Sequence, residues 1–388
     1  MNEEAIRYDA THIQVLEGRE AIRKRPGMYV GSTGERGLHH MVFEVVGRAV
    51  NEVLAGRARA VGIVLTSDGG VRVSDDGPGI AFETDADAEG PGLEALLTRL
   101  QAGAQPGGRH DVAMTTFGGG LCVTNALSSR LTAEVRREGV RLVQEYARGV
   151  PLTAPTAAGP VTGSGTTITF LPDAEIFETV ECSFDTLARR FRELAYVYGD
   201  LDISLSDERS PGGSRSERFR YPGGPRDLVA FLGARAGAPV HPDVLAFATE
   251  DPRMEGTVEA ALQWYGSRQE RVQGFANSLT TPEGGTHTAG LRDGVAGAIN
   301  AYARERRHLT AVDPDLGADR ISEGLTAVVS VKLDHLEFEG ATRGRLGGDA
   351  VRTCVAEAVR EHLGSWLDGH PDQAAAVIGR ILQGTRED

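Results

Sequence analysis

Cysteine, lysine and tryptophan are all scarce in this chain of 388 residues. Its three cysteines, Cys122, Cys182 and Cys354, are scattered and form no CxxC spacing. That excludes a disulfide framework and a cysteine-built zinc site, and it makes a cytoplasmic address the expectation. No apolar run approaches the ~18 residues needed to cross a bilayer, so no membrane partner is expected. Residues 1–9 are polar and acidic, unlike a signal or transit peptide. Of 41 basic residues only Lys24 and Lys332 are lysines, which leaves 39 arginines. Codons of a GC-rich genome account for that bias. Its chemical consequence is that a role suited to lysine passes to arginine or goes unfilled.

What is present is the profile of a soluble globular protein, 40% hydrophobic and 25% charged, with length for two domains. The net charge of −14 argues against coating nucleic acid by counterion release. Valines and alanines from Val42 to Val53 recur at helical spacing, which predicts a helix over residues 38–54 ended by Gly56. Residues 61–73 read as two short strands joined at Asp68-Gly69-Gly70. Further strands are expected over 131–137, 142–146, 165–171, 256–265 and 324–333, and helices over 226–236, 290–306 and 349–367. Together they predict an α+β fold in two layers. The Pro- and Gly-rich run from Asp207 to Arg226 reads as a linker, with a domain boundary near residue 222, or else as a long hairpin within one domain.

On the first helix Glu44, Arg48 and Asn51 fall on one polar stripe opposite the valines. Such a stripe is either a solvated face or the wall of a pocket, where Glu44 would serve as a general base. Asp75-Asp76-Gly77-Pro78-Gly79 follows a strand, and Gly118-Gly119-Gly120 enters a helix. The first can let backbone approach a ligand, and the second can offer N–H groups to phosphate.

In order and spacing these segments resemble one family. Residues 8–46 (YDATHIQVLEGREAIRKRPGMYVGSTGERGLHHMVFEVV), DDGPGI at 75–80, GTTITFLPD at 165–173, GGTHTAGLRDG at 284–294 and SEGLTAVVSVKL at 322–333 are similar to the ATPase region of DNA gyrase B and its topoisomerase IV relatives. The resemblance implies a two-layer GHKL (Bergerat) nucleotide-binding domain with an N-terminal dimer arm over residues 1–222. A smaller α/β transducer domain, ribosomal-S5-like, would follow over 223–388. It implies ATP as ligand, a homodimer, and a gyrase A-like protein and DNA as partners if the chain is part of a longer one. DNA cleavage by this chain alone is not expected.

By position, the resemblance makes Glu44 the base that activates water, assisted by His40. Asp75 becomes the acceptor for the adenine amino group, with Gly77, Gly79 and Thr166 around it. Asn51, Gly103, Gly118, Gly119 and Gly120 line the nucleotide, and Tyr8 and Ile13 lie on the arm that covers the partner's nucleotide. His287 in GGTH is expected to be structural.

The chain departs from the family at the phosphate and metal half. Arg48 stands where relatives have the asparagine that ligates Mg²⁺, and a guanidinium has no lone pair to give. An ion pair between Arg48 and Glu44, one turn apart, is expected, or direct neutralisation of phosphate by Arg48. Gln105 replaces a phosphate-contacting lysine, and Ala341-Thr342-Arg343 replaces the family QTK, so Arg343 alone keeps a cation there. Relatives also carry arginines at Pro78 and near Val143 that hold aminocoumarins, which implies weak aminocoumarin binding. The expectation is a kept adenine end, an eroded phosphate end, no protein-held metal, and slow or impaired ATP hydrolysis. The alternatives are a pseudo-ATPase that acts as a binding or regulatory module, and an enzyme repurposed to another small substrate.

Overall fold

The computed structural model describes residues 18–82, 92–100, 112, 114, 119–210, 213–310, 312–340 and 343–383. Tyr8, Ile13, Gly103, Gln105, Gly118, Ala341 and Thr342 lie outside the described residues.

The N-terminal part is built on one mixed sheet of nine strands. These are β1 (Ala60–Leu65), β2 (Val71–Asp75), β3 (Ser128–Arg137), β4 (Val140–Ala147), β5 (Val150–Pro151), β6 (Thr156–Pro160), β7 (Gly165–Pro172), β8 (Asp202–Asp207) and β9 (Arg215–Phe219). Their spatial order is β5-β4-β3-β7-β2-β1-β8-β9, with β6 against β4. All pairings are antiparallel except β1 with β8. Strands β1, β2, β3 and β7 bury every second residue, so one face of the sheet is apolar.

Helices cover that face. They are α1 (Arg19–Lys24), α2 (Gly27–Val30), α3 (Glu35–Leu54), α4 (Leu93–Thr98), α5 (Gly120–Ala126) and α6 (Phe184–Val197). Helix α3 buries Val42, Val45, Val46, Ala49, Val50 and Val53 against the sheet. Burying each such valine stabilises the fold by about 1.5–3 kcal/mol. Gly56, at φ 71°, follows its C-terminus, as the sequence predicts. Helix α6 was not expected from the sequence. Its signal is Leu187, Phe191 and Leu194 at helical spacing behind Ser183, whose hydroxyl caps the N–H of Thr186 at 3.3 Å.

The run from Asp207 to Arg226 is no plain linker. Strand β9 lies inside it and pairs with β8, which makes a hairpin. Pairing of backbone groups, not apolar periodicity, forms this strand, and only Phe219 at its end is buried. A second sheet follows, from β10 (Leu245–Asp251), β11 (Gly256–Trp264), β12 (Arg271–Ala276), β13 (Leu279–Thr280) and β14 (Leu325–Leu333), in the order β10-β11-β14-β12-β13. Around it stand α7 (Pro225–Gly233), α8 (Thr286–Glu305), α9 (Ala318–Ser322), α10 (Asp349–Gly369) and α11 (Pro371–Gln383). Helices α8 and α10 meet where Gly290 and Gly294 lie under the carbonyls of Arg352 and Ala356. A Cβ on either glycine would come within 2.6 Å of a backbone oxygen, so the close crossing requires them.

Among the described residues no helix is long and apolar enough to cross a membrane. Cys122, Cys182 and Cys354 are free and buried. His287 is fully buried and shares a hydrogen bond with the Thr281 hydroxyl at 2.9 Å.

Burial lowers the pKa of His39, His241 and His287 below the ordinary value of 6.5, that of His287 to about 4. Each therefore binds a proton less readily in the folded protein than in the unfolded chain, so unfolding takes up protons once the pH falls below about 6.5. Stability is complete above that pH and declines as the pH falls toward 4. For His287 alone the loss reaches about 3 kcal/mol once both states are protonated. Denaturant unfolding between pH 8 and pH 4 checks this, with proton uptake expected on unfolding; stability flat across the window would contradict it.

Candidate functional site

The site lies where α3 crosses the C-terminal end of β2. Because α3 buries its valines, its polar residues stand on the opposite stripe, where Glu44 and Arg48 are themselves mostly buried. Three polar residues at i, i+4 and i+7 each find a separate partner there. Glu44 Oε2 accepts the Gly120 N–H at 2.9 Å, and its Oε1 lies 3.4 Å from His40 Nε2. Both side chains are about nine-tenths buried, His40 at 9% exposure and Glu44 at 10%. The Asn51 amide holds the backbone of Val112, accepting its N–H at 2.6 Å and donating to its carbonyl at 3.4 Å. Val112 and Met114 pass over Gly47, with Met114 Cγ 3.6 Å from where a Cβ would stand. Asn51 is thus engaged by the chain itself.

Arg48 is paired with Asp75 through Nη2 and Oδ2. This corrects the expected i, i+4 pair with Glu44. Glu44 is already held by the Gly120 N–H and faces His40, whereas Asp75 is a carboxylate with 2% side-chain exposure in need of a cation. The Arg48 side chain is itself only 14% exposed. The carboxylate to which the resemblance assigns the base is thus engaged by a side chain of the protein.

Asp75 has further partners. Its Oδ1 accepts the N–H of Gly77 at 3.0 Å and of Thr166 at 3.4 Å. The second contact depends on Gly165, at φ 143°, where a Cβ would sit 2.2 Å from the Asp75 carbonyl. The Thr166 hydroxyl accepts from Ile80 N at 3.1 Å, which ties the loop after β2 to β7. Asp76 turns away and takes the N–H groups of Arg59 and Ala60.

Of the remaining predicted residues, Gly79 lies in the loop beside Asp75 at φ 79°. Gly119 and Gly120 begin α5, against Glu44. Arg343 is half-buried at φ 52° in the C-terminal part. Arg137, not singled out in the sequence, donates to the Gly79 carbonyl at 3.4 Å. A guanidinium therefore stands beside the loop that holds Pro78. Arg136, on the other face of β3, reaches the Asp75 carbonyl at 3.5 Å. Cys122 lies near Glu44, and burial, with that carboxylate, pushes its thiol up to about 11, so it stays protonated.

A helix-covered mixed sheet with carboxylates on α3 and at the end of β2 defines a GHKL-type ATPase fold. A family model described as DNA gyrase B matches residues 224–388. The novobiocin-resistant DNA gyrase B of Streptomyces niveus is 44% identical over 391 residues, which cover 97% of this chain and 58% of that protein. DNA gyrase B of Mycobacterium tuberculosis is 38% identical, covering 97% of this chain and 59% of its own length. The crystal structure of the 43K ATPase domain of Thermus thermophilus gyrase B, in complex with an aminocoumarin, superposes with a TM-score of 0.82 at 30% identity, covering 95% of each chain. The chain belongs to the DNA gyrase B family. It spans rather more than half the length of the curated relatives it matches.

Removing one partner of a buried pair leaves the other uncompensated. Arg48→Met is therefore expected to cost about 3 kcal/mol, and adding Asp75→Asn should recover most of it. Urea unfolding of both single variants and the double variant measures the coupling; additive losses would show that the two side chains do not support each other.

Proposed function

We propose that this chain is the nucleotide-operated clamp of a gyrase B-type protein, binding ATP between α3 and the adjoining ends of β2 and β7 and hydrolysing it slowly. In this reading residues 1–222 are the nucleotide-binding domain and residues 223–388 the transducer. A second copy of the chain closes the clamp. The relatives are longer, so a gyrase A-like protein and DNA are partners of the whole gyrase B chain, not of this segment by itself.

The observation that carries the reading is Glu44. A carboxylate nine-tenths buried, with an imidazole 3.4 Å away on the same helix, can take a proton from a water that attacks the terminal phosphorus. The bond from that phosphorus to the bridging oxygen breaks, and ADP leaves with the bridging oxygen. His40 orients the carboxylate, and the Gly120 N–H fixes its other oxygen. Glu44, Gly120 and Asp75 lie along one side of α3, so a ligand held at Asp75 extends toward the base.

Mg²⁺ does not fit the residues here. Arg48 occupies the helix position at which relatives supply a ligating amide, and its guanidinium offers the ion no lone pair and repels its charge. Slow turnover follows, because no divalent ion then offsets the charge on the phosphates.

The Arg48–Asp75 pair also favours a second reading, a pseudo-ATPase that binds and signals without turnover. Phosphate release separates the two. The clamp reading predicts slow ATP turnover in the wild type that Glu44→Gln reduces at least about a hundredfold. Dimerisation on a non-hydrolysable ATP analogue, read by light scattering, should survive that substitution. No turnover in the wild type, with analogue-driven dimerisation intact, would move the chain to the second reading; no nucleotide binding at all would contradict both.

A further inference from the structure

We infer that Arg48 is a resident competitor for the base subsite, and that it makes the pocket select nucleotides over unphosphorylated nucleosides. The inference rests on the nucleotide reading above and adds the residue that decides what the pocket admits.

Asp75 has two oxygens. Oδ1 is engaged by the N–H groups of Gly77 and Thr166, which come from the loop and strand that build the subsite. Oδ2 is the oxygen turned to α3, and Arg48 Nη2 sits on it. A base that presents an amino group to this carboxylate meets a donor already in place.

The pair is also incomplete. A guanidinium matched to a carboxylate commonly uses two parallel N–H···O bonds. Arg48 uses one nitrogen, and its Nη1 is buried with no hydrogen-bond partner among the described residues. A buried donor without an acceptor is unfavourable and gains from any oxygen that reaches it. Ejecting Arg48 from Asp75 is therefore costly for a ligand that brings no anion. For one that brings phosphate oxygens, the freed guanidinium acquires several charged acceptors at once. The ligand exchanges partners with the protein, the base taking Asp75 and the phosphates taking Arg48. A nucleoside can make only the first half of that exchange.

The test is calorimetric titration without Mg²⁺ of the wild type, Arg48→Gln and Arg48→Met. The two probes are adenosine and a non-hydrolysable ATP analogue, and circular dichroism establishes that each variant is folded. Gln keeps some polarity at the site if Met proves too destabilised to titrate. Loss of the guanidinium should tighten adenosine binding by about tenfold, because Oδ2 is released, and weaken the analogue's advantage over adenosine by at least about tenfold. A merely structural arginine would alter both probes in parallel and leave that ratio unchanged. An unchanged ratio in a folded variant, or weaker adenosine binding, overturns the inference while leaving the nucleotide reading in place. No binding of the analogue to any of the three proteins overturns both.

Discussion

A guanidinium and a carboxylate removed from water together have little freedom to part, and the Arg48–Asp75 pair imposes that constraint on the N-terminal half of this protein. It joins the polar stripe of α3 to the end of β2, at the point where the sheet stops and the functional loops begin. Around it the backbone is arranged to serve the carboxylate. Gly77 and Thr166 turn their N–H groups to its other oxygen, and Gly165 has no side chain, so that β7 can approach. Glu44 and Asn51, on the same stripe, fasten Gly120 and Val112 to the helix. One helix face thereby fixes the end of β2, the start of α5 and the backbone of Val112.

The position of α3 follows from elementary burial. Six valines and alanines on one side commit it to the sheet, and the remaining side carries the polar stripe. A polar stripe on such a helix would ordinarily be solvated. Here each of its three groups reaches backbone or a buried side chain outside the helix.

Much of this was legible in the sequence. The periodicity of Val42 to Val53 marked α3, and the Asp68-Gly69-Gly70 turn marked the β1–β2 hairpin. The motif DDGPGI placed Asp75 at the end of a strand. What was not legible was which charges would meet. Arg48 and Glu44 are neighbours along the helix, and local spacing favoured their pairing. The tertiary fold brings in Asp75, 27 residues on in the chain and more deeply buried, while Glu44 is already held by the Gly120 N–H. Strand β9 escaped for a related reason, since its residues are polar and only pairing with β8 makes it a strand. Helix α6 escaped although its apolar spacing and serine cap were present.

The arginine-rich composition gives the site a particular character. A chain with almost no lysine places guanidinium groups at each electrostatic junction of this region, Arg48 on Asp75, Arg137 on the Gly79 loop and Arg136 behind β2. Rigid forks of this kind hold geometry better than ammonium groups do. The central claim is that Arg48 holds the base-binding carboxylate until a nucleotide exchanges with it. A pair of crystal structures, one ligand-free and one with a non-hydrolysable ATP analogue, tests it most directly. The account predicts Arg48 on Asp75 in the first, and in the second the base on Asp75 with the guanidinium moved to the phosphates. Arg48 still bound to Asp75 beneath a seated nucleotide, or already apart from it in the empty protein, would contradict it.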